Sequence, residues 1–121
     1  MPDCSLPRTE RLRSLGAVRR MFESGESGFI FPFRYVWFAE ADEVPSVEVL
    51  FSVPKKFHKR ANKRNLLRRT KEAYRVQKQL LHDGRPVNLD LALIYSSKEV
   101  LSYKTISNAV RRILETVVEH L

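Results

Sequence analysis

The residues most able to do chemistry are cations. Between positions 53 and 75 the chain reads Val-Pro-Lys-Lys-Phe-His-Lys-Arg-Ala-Asn-Lys-Arg-Asn-Leu-Leu-Arg-Arg-Thr-Lys-Glu-Ala-Tyr-Arg. Arg64, Arg68, Lys71, Arg75 and Lys78 recur at alternating steps of four and three, which lines them up along one side of a helix. Leu66, Leu67, Thr70, Ala73, Tyr74, Gln77, Leu80 and Leu81 fall on the other side. A solvated helix face usually mixes signs so that acids and bases pair a turn apart. Here Glu72 is the only acid between Arg60 and Gln79. Like charges one turn apart repel, so the pattern predicts a polyanion on this face.

Catalysis by protein side chains has little to build on. No Gly-rich phosphate loop follows a predicted strand, and no Ser/His/Asp or Cys/His set presents itself. With one cysteine (Cys4) and three scattered histidines, zinc spacing is absent. Asp90 and Glu48 are the only acids in predicted strands, a weak basis for a metal-dependent nuclease. His58, inside the basic run, reads as a phosphate contact or as nothing. No catalytic and no metal-ligating residue is assigned.

The whole chain supports a nucleic-acid partner. Its 121 residues carry a net charge of +8 and 43% hydrophobic residues, which suits one domain with a core and a partner that is nucleic acid or an anionic surface. No apolar run approaches the ~20 residues of a membrane span, and the first residues lack the layout of a signal peptide. The expected location is cytoplasmic.

The elements that position the cations follow from periodicity. Residues 1–13 read as an extended arm before a single domain. Ser14 can cap a helix from Leu15 to about Ser24, with Leu15, Val18, Met21 and Phe22 inward, Arg19 and Arg20 outward, and Gly25 as its stop. From Gly28 the period is two, broken by Pro32 into two short strands. Phe33, Tyr35 and Trp37 share one strand face, Val36 and Phe38 the other. A turn carrying Glu40, Asp42 and Glu43 leads to a strand at 47–53, expected to pair antiparallel with the strand before it. Asn62 can cap the long basic helix, which ends by His82-Asp83-Gly84. A strand through Leu89, Leu91, Leu93 and Tyr95 reads as buried on both faces. Ser102 starts a last helix with Tyr103, Ile106, Val110, Ile113 and Val117 in its stripe. The fold class is α+β, helices layered on a small sheet.

The aromatic stripe has two readings. Rings at strand spacing are usually core, yet a sheet beside a basic helix also holds single-stranded nucleic acid, with bases on rings and phosphates on Lys and Arg. Phe33, Tyr35 and Trp37 are therefore candidates for a groove beneath the Arg64 helix, Trp37 foremost, with Phe22 completing its wall.

From Lys55-Lys56 through Arg75 the chain resembles the protein subunit of bacterial ribonuclease P. That family's strand ending near Ser-Lys-Lys, basic loop and Arg-Asn-Arg helix correspond to Ser52, Lys55, Lys56, Arg64, Asn65, Arg68, Arg69, Glu72, Ala73, Tyr74 and Arg75. The resemblance extends over most of the chain. Three departures stand out: Leu66 occupies the place of the motif's second arginine, Pro54 replaces a small polar residue, and the loop 57–62 is one residue longer and lacks a glycine. In the first helix Val18 stands where an aromatic is common.

The resemblance implies a two-to-three-layer α/β sandwich with a mostly antiparallel sheet and a left-handed strand–helix–strand crossover. It implies a monomeric protein that assists a catalytic RNA carrying Mg²⁺, binds no cofactor itself, and has that RNA and precursor tRNA as partners. The reaction would be hydrolysis of one phosphodiester bond, freeing the 5′ leader. RNA contacts would come from Lys55, Lys56, Lys59, Arg60, Lys63, Arg64, Asn65, Arg68, Arg69, Lys71 and Arg75, and the leader groove from Phe22, Phe33, Tyr35 and Trp37, with Lys55 and Lys56 beside it. The rivals are a ribosomal-type RNA-binding protein, a DNA-binding module and a protein-only nuclease using Asp90 and Glu48.

Overall fold

One strand explains the sheet. In the computed structural model, which describes residues 15–42, 46–54, 58–81 and 87–121, the segment Val87–Tyr95 buries Leu89, Leu91, Leu93 and Tyr95 on one face and Ala92 on the other. A strand apolar on both faces belongs in the interior of a sheet. It is β4, after β1 (Glu26–Ile30), β2 (Phe33–Ala41) and β3 (Ser46–Ser52), and the order across the sheet is β1-β2-β4-β3.

That order corrects the expected pairing of β2 with β3. β2 pairs antiparallel with β4 from Phe33↔Tyr95 to Ala41↔Val87, and β3 lies parallel to β4 from Ser46↔Asn88 to Ser52↔Ile94. The two flanks satisfy both backbone edges of the most apolar strand. β3, whose Glu48 and Leu50 remain half-exposed, takes an edge. Pro32 separates β1 from β2 as expected: Ile30 pairs with Phe33 across a turn containing the cis Phe31–Pro32 peptide.

Parallel neighbours need a long crossover, and α2 (Arg60–Gln77) supplies it between β3 and β4. Together with α3 (Tyr103–Glu119), it covers the face that carries Phe33, Tyr35, Val49, Leu91 and Leu93. Ser102 caps α3, its Oγ accepting from the Thr105 amide at 3.3 Å. Ile106, Val110, Ile113 and Val117 are buried in the expected stripe, while Tyr103 is exposed. The opposite face packs against α1 (Leu15–Ser24) through Met21, Val36 and Ala92. The molecule has three layers: α1, sheet, then α2 with α3.

Other expectations need correction. α2 begins at Arg60 with Lys59 at its cap position and no side-chain cap, so Asn62 lies inside its first turn and the preceding loop is shorter than read. α2 gives way at Lys78–Leu80 to a 3₁₀ turn. Leu80 is exposed there. Leu15 and Phe22 are exposed because α1 spans too little of the sheet to bury its whole apolar stripe. Gly25 ends α1 as expected, its amide donating to the Met21 carbonyl at 2.8 Å. The arm over 1–13, Ser14, Lys55, Lys56 and residues 82–84 lie outside the described residues.

Candidate nucleic-acid interface

α2 is held from one side and charged on the other. Leu66, Thr70, Ala73 and Tyr74 are buried, so the helix cannot roll. Arg60, Arg64 and Arg68 stand exposed one turn apart, with Lys59 and Asn65 also exposed and Lys63, Arg69, Lys71 and Arg75 half-exposed. The stripe from Arg60 to Arg75 runs about 22 Å along the axis. It stops short of Lys78, which is buried at 3% exposure.

Two of these cations are already engaged. The Arg75 Nε donates to Glu72 at 3.0 Å, and that hydrogen bond holds the Glu72 carboxyl below the usual range. Arg69 donates from Nη1 to the Leu101 carbonyl at 2.7 Å, bracing α2 against the loop before α3. A guanidinium has five donors, so Arg69 keeps others for a ligand. Leu66 is fully buried. Position 66 is a core position on this helix.

At the start of α2 the cations gather around a hollow of about 650 Å³ lined by His58, Arg60, Lys63, Arg64 and Leu67. The first turn holds no acid, so Arg60 and Lys63 oppose the positive end of the helix dipole. An anion there would relieve both. His58 is an anchor: buried, edge-on to Tyr95 with ring centres 5.6 Å apart, and donating from Nε2 to the Ser97 carbonyl at 2.6 Å.

Among the described residues no aromatic groove opens beneath α2. Phe33 and Tyr35 are core residues. Trp37 is half-buried against the same core, with the His120 ring 6.2 Å away. Period two placed these rings on one face as expected, and that is the face α2 and α3 need for burial. Phe22 is exposed on α1, on the far side of the sheet.

The open surface is the other face of the sheet, where α1 leaves both ends uncovered. Register and alternation put Ser27, Phe29, Arg34, Phe38, Leu50, Ser52, Asp90 and Ile94 on it. One end is acidic. Asp90 lies beside Glu48 across the β3–β4 pair. Arg20 reaches over from α1, 5.4 Å above the Phe38 ring and 3.6 Å from Glu40. Burial pushes the Asp90 carboxyl up, Glu48 and Glu40 push it further, and Arg20 offsets part of this. A buried carboxyl that holds its proton as Asp90 does is poorly suited to Mg²⁺, and no group of three or more potential ligands occurs among the described residues. Phe29, Arg34 and Leu50 escaped sequence reasoning because their grouping depends on strand register.

Comparison with known proteins agrees with this architecture. Residues 6–118 match the family model for Ribonuclease P. The ribonuclease P protein component of Porphyromonas gingivalis strain W83 is 31% identical over 118 residues, covering 93% of this chain and 86% of the relative. The ribonuclease P protein of Thermotoga maritima superposes with a TM-score of 0.70 at 20% identity, over 88% of this chain and 96% of that one. The Staphylococcus aureus protein gives 0.69 at 17% identity, over 94% and 93%.

Proposed function

This chain belongs to the ribonuclease P protein family, and we propose that it docks on the ribonuclease P RNA through α2 while its open sheet face receives the 5′ leader of precursor tRNA. The family makes it an RNA-binding component of tRNA processing. The observation that carries the docking half is the exposed run Arg60, Arg64 and Arg68, with no acid until Glu72. The leader half rests on the geometry of the two sheet faces: one is filled by α2 and α3, the other is only partly covered by α1.

In this reading the protein positions substrate and the RNA performs the cleavage. Mg²⁺ held by the RNA would supply the chemistry of hydrolysis, activating water and steadying the departing oxygen, so that the mature tRNA would keep a 5′-phosphate. The chain's part is electrostatic and steric. Cations on α2 neutralise RNA phosphates and release counterions. The partly apolar surface beside α1, with Phe22, Val18 and Leu50, gives leader bases somewhere to stack with little regard for sequence. No protein side chain is assigned a chemical step.

The test is cleavage of a precursor tRNA by the partner RNA at limiting Mg²⁺, with and without the protein. Added protein is expected to restore cleavage at the mature 5′ end. Binding to the RNA without any effect on cleavage would overturn the proposal in favour of a purely structural RNA-binding role.

A further inference from the structure

The apolar stripe of α3 continues past the core. Ile106, Val110, Ile113 and Val117 are buried, but Tyr103, the first member of the same stripe, is 39% exposed. It borders a hollow of about 330 Å³ whose other walls are Arg68, Arg69 and Glu72 of α2. This hollow lies in the layer of α2 and α3, across the sheet from α1.

The walls are held in place by a chain of hydrogen bonds. Ser102 caps α3 and makes Tyr103 its first residue. One position earlier, the Leu101 carbonyl accepts from Arg69 Nη1 at 2.7 Å, while the Leu101 amide donates to the Tyr95 hydroxyl at 3.2 Å. The Tyr95 hydroxyl donates in turn to the Glu99 carbonyl at 2.6 Å. The loop before α3 is thereby pinned to α2 on one side and to the buried end of β4 on the other, and Tyr103 is kept beside Arg68 and Arg69.

The chemistry of these walls selects a ligand class. The hollow at the start of α2 has three cations and no acid, which suits a phosphate. Here Glu72 stands in the wall, and its hydrogen bond from Arg75 keeps the carboxyl ionised. A phosphate oxygen beside that carboxylate would be repelled. A nucleobase satisfies every wall. Its face stacks on the Tyr103 ring or on a guanidinium plane, and its N–H edge finds an acceptor in Glu72, whose carboxylate has lone pairs beyond the two that Arg75 occupies. The neighbouring phosphates fall to exposed Arg64 and Arg68.

We propose that Tyr103, Arg68, Arg69 and Glu72 form a pocket for one unpaired base of the ribonuclease P RNA. This rests on the docking reading above and deepens it: docking has a stacking component besides its charge component. Stacking releases no counterions, so this part of the affinity does not erode with salt.

The experiment is equilibrium binding of the full chain to the ribonuclease P RNA over a KCl series, for wild type, Tyr103→Leu and Tyr103→Trp, with thermal melts to verify the fold. Leucine keeps apolar bulk and helix propensity but has no π face. Tyr103→Leu is expected to lose about tenfold in affinity at every salt concentration, the scale of one stacked base, so that its line runs parallel to that of wild type. Tyr103→Trp should bind as wild type. Chemical probing of the RNA should show an unpaired nucleotide shielded by wild type and by Tyr103→Trp but reactive with Tyr103→Leu. Undiminished affinity in Tyr103→Leu would mean that the ring serves packing alone, and would overturn the proposal. A loss with a flattened salt slope would also overturn it, by showing that the substitution displaced the α2 cations. So would a loss seen only when precursor tRNA is present, which would place the ring on the substrate. If wild-type binding itself does not weaken with salt, the docking reading fails first, and this inference with it.

Discussion

Removing two arginines from α2 should change how RNA binding responds to salt, and by a calculable amount. Arg64 and Arg68 are exposed, a turn apart, and form no ion pair with Glu72, whose partner is Arg75. Each cation that neutralises a phosphate contributes about 0.7 to 0.9 to the slope of log affinity against log salt, the lower value for single strands. The double substitution Arg64→Ala/Arg68→Ala should therefore flatten the slope by roughly 1.4 to 1.8. Between about 50 and 200 mM salt, wild type should lose about tenfold more affinity than the variant. The assay is equilibrium filter binding to the ribonuclease P RNA over a KCl series, with thermal melts to verify the fold. Because both side chains are outside the core, Tm should move little. Arg75→Ala is the internal control: its guanidinium is already held by Glu72, so its slope change should be smaller. Parallel lines for wild type and the double variant would refute the assignment of this face to RNA.

Two stability predictions follow from the sheet. Asp90 has a carboxyl raised by burial and by Glu48, so the folded chain holds that proton more tightly than the unfolded chain. Its contribution is most favourable in acid and is lost as pH rises from the ordinary carboxylate value through the folded one. Asp90→Asn should raise Tm at neutral pH and flatten the pH dependence on the acid side, as read by calorimetry; a lowered Tm at neutral pH would contradict the sign. At Gly25 a Cβ would collide with the backbone carbonyls of Met21 and Trp37. Gly25→Ala should cost about 1–3 kcal/mol, measurable by urea denaturation, and an unchanged midpoint would show that α1 can move away freely.

Much of this was legible in the sequence because it is local. The helix 15–24, the presence of the long basic helix, the break at Pro32 and the Ser102 start all follow from local pattern, although the basic helix runs 60–77 rather than from an Asn62 cap to 82–84. What was not legible is long-range. The acidic turn after β2 suggested a hairpin, but β3 pairs with a strand some forty positions later, and only the double-sided apolarity of β4 hinted at the insertion. The face shared by Phe33, Tyr35 and Trp37 was readable; that α2 and α3 would claim it was not, since alternation does not say which face is covered. The grouping of Phe29, Arg34 and Leu50 on the open face was invisible for the same reason: its members come from different strands, and register alone aligns them.

The place of β4 also fixes when the molecule can form during synthesis. β2 and β3 leave the ribosome early, but neither has its central neighbour until residues 87–95 have been made. Until then α2 is a cationic helix without a sheet to lie on, and two strand edges remain unpaired. Such edges invite association between chains. A nascent chain halted before Tyr95 would therefore present its RNA-binding charge without a fixed geometry, so that specific docking becomes possible only once the last strand has closed the sheet.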